Sequence, residues 1–303
     1  MQVKKAVFPV AGFGSRFLPV TKANPKEMLP IVDKPLIQYA VEEAVRAGMT
    51  HMIFITSSSK RAIEDHFDNH YELEMRLQEQ GKTNLLALVK GISPPNIQFT
   101  YVRQNQPLGL GHAVLCAEHV VGDEPFAVLL ADDLIDDAHV PCLSAMVECF
   151  NRDGESVVAV QPVPWQDVHQ YGVVNVANSS QDYSPIDMII EKPAREQAPT
   201  NLAAVGRYLF TPAIFSCLRQ TGVDHRGEIQ LTDGIRFLLQ QETAHAYQFH
   251  GKRYDCGSKL GYLQATVEFG MQHAEIGLDF CNYLQTTQSR LNQGLKCKFS
   301  EER

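Results

Sequence analysis

The sequence predicts an α/β fold built on a mostly parallel central sheet flanked by helices, and three observations carry that prediction. Short, wholly apolar runs such as Ala6–Val10, Met52–Thr56 and Phe126–Ala131 read as strands buried on both faces. Segments of helical period lie between them. The alternation of strand and helix joins neighbouring strands by crossovers, which makes them parallel. The chain has 303 residues, 44% hydrophobic and 20% charged, enough apolar side chain for a packed core.

In chain order, Ala6–Val10 is the first strand, entered directly from Met1-Gln2-Val3-Lys4-Lys5. This start lacks the length and small-residue cleavage pattern of a signal peptide. Pro35–Ala47 sets Leu36, Ile37, Ala40, Val41, Ala44 and Val45 at helical spacing, with Gly48 as the stop. Met52–Thr56 is the second strand. Ser57-Ser58-Ser59 supplies N-cap candidates for a helix through Ile63 and Phe67. Ile97–Val102 alternates as a strand, His112–His119 reads as a helix, and Phe126–Ala131 is a buried strand ending at Asp132-Asp133. Together these make a Rossmann-like sheet. Farther on, Val157–Val160, Val173–Val176 and Met188–Ile190 are short strand-like runs, either a sheet extension or a smaller β-rich lobe. Ala204–Phe210 is another strand, and Ile229–Gln240 and Lys259–Gly270 are helices. Beyond Leu278 the chain is polar, periodic at Leu284, Leu291 and Leu295, and suits a helical appendage or subunit contact. No internal repeat or low-complexity linker divides it, so a single domain is expected over residues 1–303.

The 27 basic against 35 acidic side chains leave a net charge of −8. That balance argues against a nucleic-acid polymer or an anionic membrane as partner, and no apolar run is long enough to span a bilayer. A few local cations can still hold a phosphate. Seven cysteines, Cys116, Cys142, Cys149, Cys217, Cys256, Cys281 and Cys297, form no CxxC pair, so zinc spacing is absent. They read as free thiols of a reducing cytoplasm.

The sharpest motif follows the first strand, from Gly12-Phe13-Gly14-Ser15-Arg16 through Thr21-Lys22 and Pro25-Lys26-Glu27-Met28-Leu29 to Pro30. Glycines after a strand let the backbone approach a ligand, and its N–H groups can bind phosphate oxygens. Phe17 stands where a dinucleotide-binding fingerprint needs its third glycine, and the Gly-Lys-Ser/Thr of a P-loop is missing. On the glycines alone, a tight turn with solvated Arg16, Lys22 and Lys26 is the simpler reading. Three cations near one turn also suit a polyphosphate.

The full span resembles the signature of the sugar-1-phosphate nucleotidylyltransferases, and most of all the bacterial UTP–glucose-1-phosphate uridylyltransferases. The resemblance runs from about Lys5 to about Gly270. It implies a nucleotide-binding half to about residue 150, a sugar-phosphate half to about 258 and a C-terminal appendage. It also implies that Gly12, Gly14 and the loop to Lys26 wrap the triphosphate, with Arg16 and Lys26 on the phosphates and Val10, Ala11 and Gly12 at the base or ribose.

Three further motifs join it. In Arg103-Gln104-Asn105-Gln106-Pro107-Leu108-Gly109, a Gln amide offers donor and acceptor to a pyrimidine edge, and the resemblance assigns the uracil to Gln104 and the Gly109 backbone. His112 reads as a cap or core histidine. Asp132-Asp133 lies at a strand's carboxyl end, where open α/β sheets bind ligands; a solvated turn is the alternative, since Asp136-Asp137 follows. By resemblance Asp132 and Asp255 hold Mg2+, with Asp133 behind them. Gly172 and Glu191 then hold glucose hydroxyls, Lys192 the 1-phosphate, and Val205-Gly206 line that pocket. His225 to Asp233 is a loop and helix start near the site, or a capping sequence.

The function implied is Mg-dependent transfer of UMP from UTP to glucose 1-phosphate, by a homodimer or homotetramer. Arg16, Lys26 and Lys192 are its catalytic cations. Two alternatives stay open: a non-catalytic regulatory paralogue, and an enzyme of other preference, such as dTTP.

Overall fold

The structure is a computed structural model and describes residues 2–136, 141–178 and 181–292. Asp137, Leu295 and Cys297 lie outside the described residues. Strand β1 (Lys5–Pro9) leads into short 3-10 turns at Ser15–Phe17, Val20–Lys22 and Lys26–Met28, then a small ladder of β2 (Pro30–Ile31) and β3 (Lys34–Pro35). There follow α1 (Leu36–Arg46), β4 (His51–Thr56), α2 (Arg61–Phe67), α3 (Tyr71–Glu79), α4 (Thr83–Ile92), β5 (Gln98–Arg103), α5 (Gly109–Cys116), α6 (Glu118–Val121) and β6 (Phe126–Leu129). The second half contains β7 (Asp133–Asp136), α7 (Cys142–Asp153), β8 (Ser156–Pro162), β9 (Gly172–Val176), β10 (Tyr183–Glu191) and β11 (Leu202–Phe210). It closes with α8 (Ala213–Gln220), α9 (Leu231–Leu238), β12 (Ala244–Gln248), β13 (Lys252–Asp255), α10 (Lys259–Gln272) and α11 (Gly277–Asn292). No helix among the described residues is long and apolar enough to cross a membrane.

Nine strands form one sheet in the order β5-β4-β1-β6-β11-β8-β12-β10-β9. The expected parallel arrangement occupies the first half: β5, β4, β1 and β6 pair parallel, joined by helical crossovers. From β6 onward antiparallel pairs dominate, with β8 and β12 the parallel exception. The short runs of the second half are therefore an extension of the central sheet. Its last strand, β9, also meets β11 at Val173 and Ala203, which closes a ring of pairings.

Alternate residues feed the two faces. Ala6, Phe8, Met52, Phe54, Ala127 and Leu129 pack on one side with α1, α2 and α7. Val7, Ile53, Ile55, Phe126 and Val128 pack on the other with α5, α8 and α9. The wholly apolar runs of the sequence are thus strands covered on both sides. Neither α3 nor α4 is among the elements expected from the sequence, although Leu85, Leu86, Leu88, Val89 and Ile92 of α4 stand at helical spacing; α4 buries no residue fully and α3 buries only Leu77.

Two local expectations are corrected. The Ser57–Ser59 run caps nothing: α2 has Lys60 at its N-cap position and no side-chain capping bond. Lys60 is drawn into the core by Glu27, with Nζ 2.8 Å from Oε2, and the helix begins beyond the serines. The buried strand at 126–131 stops at Leu129, and Asp133 opens a new strand, β7, antiparallel to β13. Asp132 thus lies in the turn between two strands.

That turn is held from beneath by Arg207 of β11, the single charge in the run Leu202–Phe210 and only 1% exposed. Its Nε reaches both carboxylate oxygens of Glu43 on α1 at 3.0 Å, and Nη2 meets Glu43 Oε2 at 2.7 Å. Nη1 donates to the carbonyls of Leu130 and Gly206, each at 3.0 Å, and Nη2 to that of Asp133 at 2.8 Å. Every guanidinium N–H is satisfied, as a buried charge requires. Glu43→Ala leaves this cation buried without its counter-charge. A loss of about 3–5 kcal/mol is expected in urea unfolding; a loss below about 1 kcal/mol would remove the pair from the supports of the fold.

Candidate active site

The four parallel strands end at one edge of the sheet, and the ends of β1, β5 and β6 each carry a predicted motif. Ala11 and Gly12 follow β1, the serines follow β4, Gln104 follows β5, and the Leu130–Asp132 turn follows β6. Ligands of open α/β sheets bind at this carboxyl edge because the loops leaving the strands converge there.

At its centre two carboxylates meet two cations. Lys26 Nζ lies 2.6 Å from Asp132 Oδ2. Burial alone would raise the Asp132 carboxyl, but the Lys26 charge, its hydrogen bond and a backbone donor hold it below the usual value. Burial likewise lowers Lys26, while the Asp132 and Glu27 carboxylates outweigh it and keep the ammonium charged. Asp132 Oδ2 and Asp255 Oδ1 converge on Gly257: a Cβ added there would lie 2.8 and 3.0 Å from them. Arg16 Nη1 donates to the Gly257 carbonyl at 3.2 Å. Asp133 turns the other way, accepts from Arg253 Nε and Nη2, and packs against Gly206. Gly206 has φ +26°, and a Cβ there would strike the Asp133 carboxylate.

Among the described residues no group of three or more His, Cys, Asp or Glu side chains is placed to hold a metal. Asp132 and Asp255 instead offer two hard oxygen donors side by side. That set fits an ion such as magnesium, which binds through one or two carboxylates and takes its other ligands from phosphate and water. It does not fit a closed zinc site.

One cavity of about 300 Å³ opens beside the carboxylates and is lined by Arg16, Gly172, Glu191, Lys192, Thr232 and Arg253, with both aspartates 132 and 255 at its floor. Glu191 accepts from Thr232 Oγ1 at 2.9 Å and pairs with Lys192 Nζ at 3.0 Å. Lys192 has φ +44°, a left-handed conformation uncommon for a side-chain-bearing residue. Its N–H donates to the Tyr171 carbonyl at 2.9 Å, which helps hold it there. Gly172 is required by packing, since a Cβ would stand 2.6 Å from Thr232 Cγ2.

A second cavity of about 580 Å³ lies along the glycine loop, lined by Ala11, Phe13, Ser15, Lys22, Ser58 and Gln104. Gly14 has φ +65° and its carbonyl accepts from Thr21 Oγ1 at 2.8 Å, which folds the loop back on itself. Gln104 Nε2 donates to the Gly109 carbonyl at 3.1 Å and meets His112 Nδ1 at 2.9 Å.

The site thus gathers most residues singled out in the sequence, with exceptions. Val10 and Val205 are buried in the core and put no side chain into either cavity. A Cβ on Gly12 would meet nothing within 4 Å, so packing in this structure does not demand glycine there. His112 is neither cap nor core: Leu108 holds the N-cap position, and the ring is half-buried against Gln104. Sequence reasoning gave no role to Arg253, Tyr171, Thr232 or Arg207. Arg253 sits two residues before Asp255 on β13, so period-two alternation puts both on one face. Its guanidinium also stacks 5.0 Å from the Tyr171 ring centroid. A lone charge in an apolar strand was the available signal for Arg207.

Comparisons with known proteins agree with this geometry. The family model described as Nucleotidyl transferase matches residues 5–271. A UTP–glucose-1-phosphate uridylyltransferase of Bacillus subtilis (strain 168) is 51% identical over 276 residues, covering 91% of this chain and 94% of the relative. A UTP-bound UGPase from Acinetobacter baumannii superposes with a TM-score of 0.88 at 45% identity, covering 94% of this chain and 99% of that one. A UDP-glucose pyrophosphorylase complexed with UDP-glucose gives a TM-score of 0.81 at 45% identity, covering 90% of this chain and all of the other. By its matched length, its sheet and the convergence of its motifs on one edge, the chain belongs to the nucleotidyl transferase family.

Proposed function

We propose that the protein transfers UMP from UTP to glucose 1-phosphate, forming UDP-glucose and pyrophosphate. The observation that carries this reading is the meeting of Asp132, Asp255, Arg16 and Lys26 at the smaller, polar cavity, with the loop-lined cavity reached through the neighbouring Ser15. Ser15 lines the loop-side cavity and the adjacent Arg16 the polar one, so the two cavities adjoin at the glycine loop, one for the nucleotide and one for the acceptor phosphate. The names of the relatives support the choice of uridine and glucose.

An oxygen of the sugar phosphate attacks the α-phosphorus of UTP in line. The bond from that phosphorus to the bridging oxygen breaks, and pyrophosphate leaves with the electron pair. A phosphate monoester has its second pKa near 6 and is mostly dianionic at pH 7, so no general base is required. Catalysis then rests on positioning and charge neutralisation. Arg16 and Lys26 bind the phosphates of UTP, and Lys192 holds the sugar phosphate. Gly172 and Glu191 hold sugar hydroxyls, with Thr232 orienting Glu191. Gln104 and the Gly109 backbone read the base, and the backbone at Val10, Ala11, Gly12 and Gly14 carries the nucleoside and phosphates. The backbone of Val205 and Gly206 shapes the sugar wall. Asp132 and Asp255 hold magnesium, which supplies Lewis-acid neutralisation of phosphate charge when bound.

The first test is pyrophosphate release with magnesium and glucose 1-phosphate, comparing UTP, dTTP and ATP. Release with UTP, abolished by a chelator, is the expected result; silence with every triphosphate from folded protein would favour a regulatory paralogue. Asp132→Ala is expected to lose metal-dependent turnover, and full activity with unchanged magnesium binding would exclude Asp132 from the metal site. Lys192→Ala is expected to lower turnover about a hundredfold, in line with the loss of an oxyanion donor. It should also weaken glucose 1-phosphate binding in calorimetry while UTP binding is kept; intact sugar-phosphate affinity would count against its role.

A further inference from the structure

We propose that His112 sets the base selectivity of this transfer by fixing which way the Gln104 amide faces. The inference rests on the reading that Gln104 meets the base. One atom, Gln104 Nε2, contacts both the Gly109 carbonyl and His112 Nδ1, at 3.1 and 2.9 Å. A carbonyl oxygen only accepts, so the amide group facing Gly109 is the NH2. Its first hydrogen goes to that carbonyl and its second to His112. Nδ1 is therefore an acceptor, and the neutral ring carries its proton on Nε2.

Both amide hydrogens are thus spent inside the protein. Gln104 Oε1 has no hydrogen-bond partner among the described residues, and Gln104 lines the loop-side cavity. The site consequently presents an acceptor to the base. Uracil carries N–H at N3, where cytosine carries a lone pair. A fixed amide oxygen accepts from the first and repels the second. An amide free to turn over would offer its NH2 to cytosine and lose that distinction.

The histidine is held firmly enough to do this. Gly111 N–H donates to the Ile229 carbonyl at 2.8 Å, and Ile229 N–H to the Leu108 carbonyl at 2.7 Å, which pins the start of α5 to the loop before α9. A Cβ on Gly111 would lie 2.8 Å from the Ile229 carbonyl oxygen, so the approach is as close as packing allows. Cys116, one turn on, places Sγ 3.9 Å from both ring nitrogens. His112 acts through Gln104 and is a positioning residue.

The test measures kcat/KM for UTP and CTP with glucose 1-phosphate, together with UTP binding by calorimetry. His112→Leu and His112→Ala both remove the acceptor, one keeping bulk and one not, and either folded variant carries the test. The UTP-over-CTP preference is expected to fall about tenfold or more, the scale of one hydrogen bond. His112→Gln, whose side-chain oxygen can accept in place of Nδ1, should recover part of it. An unchanged preference in the leucine and alanine variants, with UTP binding weakened by Gln104→Leu, would overturn this inference alone. UTP binding unaffected by Gln104→Leu would overturn the base reading and the inference with it.

Discussion

The guanidinium of Arg207 is the point on which the site depends. It is a buried cation that can be tolerated only if its charge and every N–H are answered, and the answers come from three separate parts of the chain. Glu43 supplies the counter-charge from α1, Gly206 a carbonyl from β11 itself, and Leu130 and Asp133 carbonyls from the turn that carries Asp132. A helix, a central strand and the turn at the carboxyl edge of the sheet are thereby locked in one geometry. An exposed turn of four residues could not hold a carboxylate in place by itself. Tied to a fully buried fork, it inherits the rigidity of the core.

Above this support the charges are sorted in pairs. Of the two adjacent aspartates, Asp132 faces Lys26 and Asp133 faces Arg253. Side by side and buried, two carboxylates would repel each other and raise one another's pKa. Giving each its own cation keeps Asp132 ionised and turned toward Asp255. Lys26 comes from the glycine loop and Arg253 from β13, next to Tyr171. A protein of net charge −8 can thus build a site suited to polyanions by concentrating a few cations at one edge of its sheet.

Much of this was legible in the residues. The apolar runs at Ala6–Val10, Met52–Thr56 and Phe126–Ala131 read as strands covered on both faces, and the glycine loop with its cations marked the sheet edge where the two cavities open. Asp132 stood out at the carboxyl end of a strand, whereas Glu191 was singled out only through the family resemblance. The helix α4 was overlooked although Leu85, Leu86, Leu88, Val89 and Ile92 stand at helical spacing; what the sequence could not show is that this stripe is left without full burial. The Ser57–Ser59 run misled because capping preference is a local energy of about 1 kcal/mol. The buried Lys60–Glu27 pair, a long-range contact, places the helix start beyond the serines.

Composition and local pattern by themselves determined the α/β class and the strand runs, and they placed a glycine turn with three cations after the first strand. These follow from burial and backbone geometry over a few neighbouring residues. Tertiary structure alone decided that Arg207 reaches Glu43 across 164 positions, that Arg253 takes Asp133, and that Gln104 Nε2 meets His112 Nδ1. Such partnerships depend on which side chains the sheet order brings within hydrogen-bonding distance, and sequence separation carries no information about that distance.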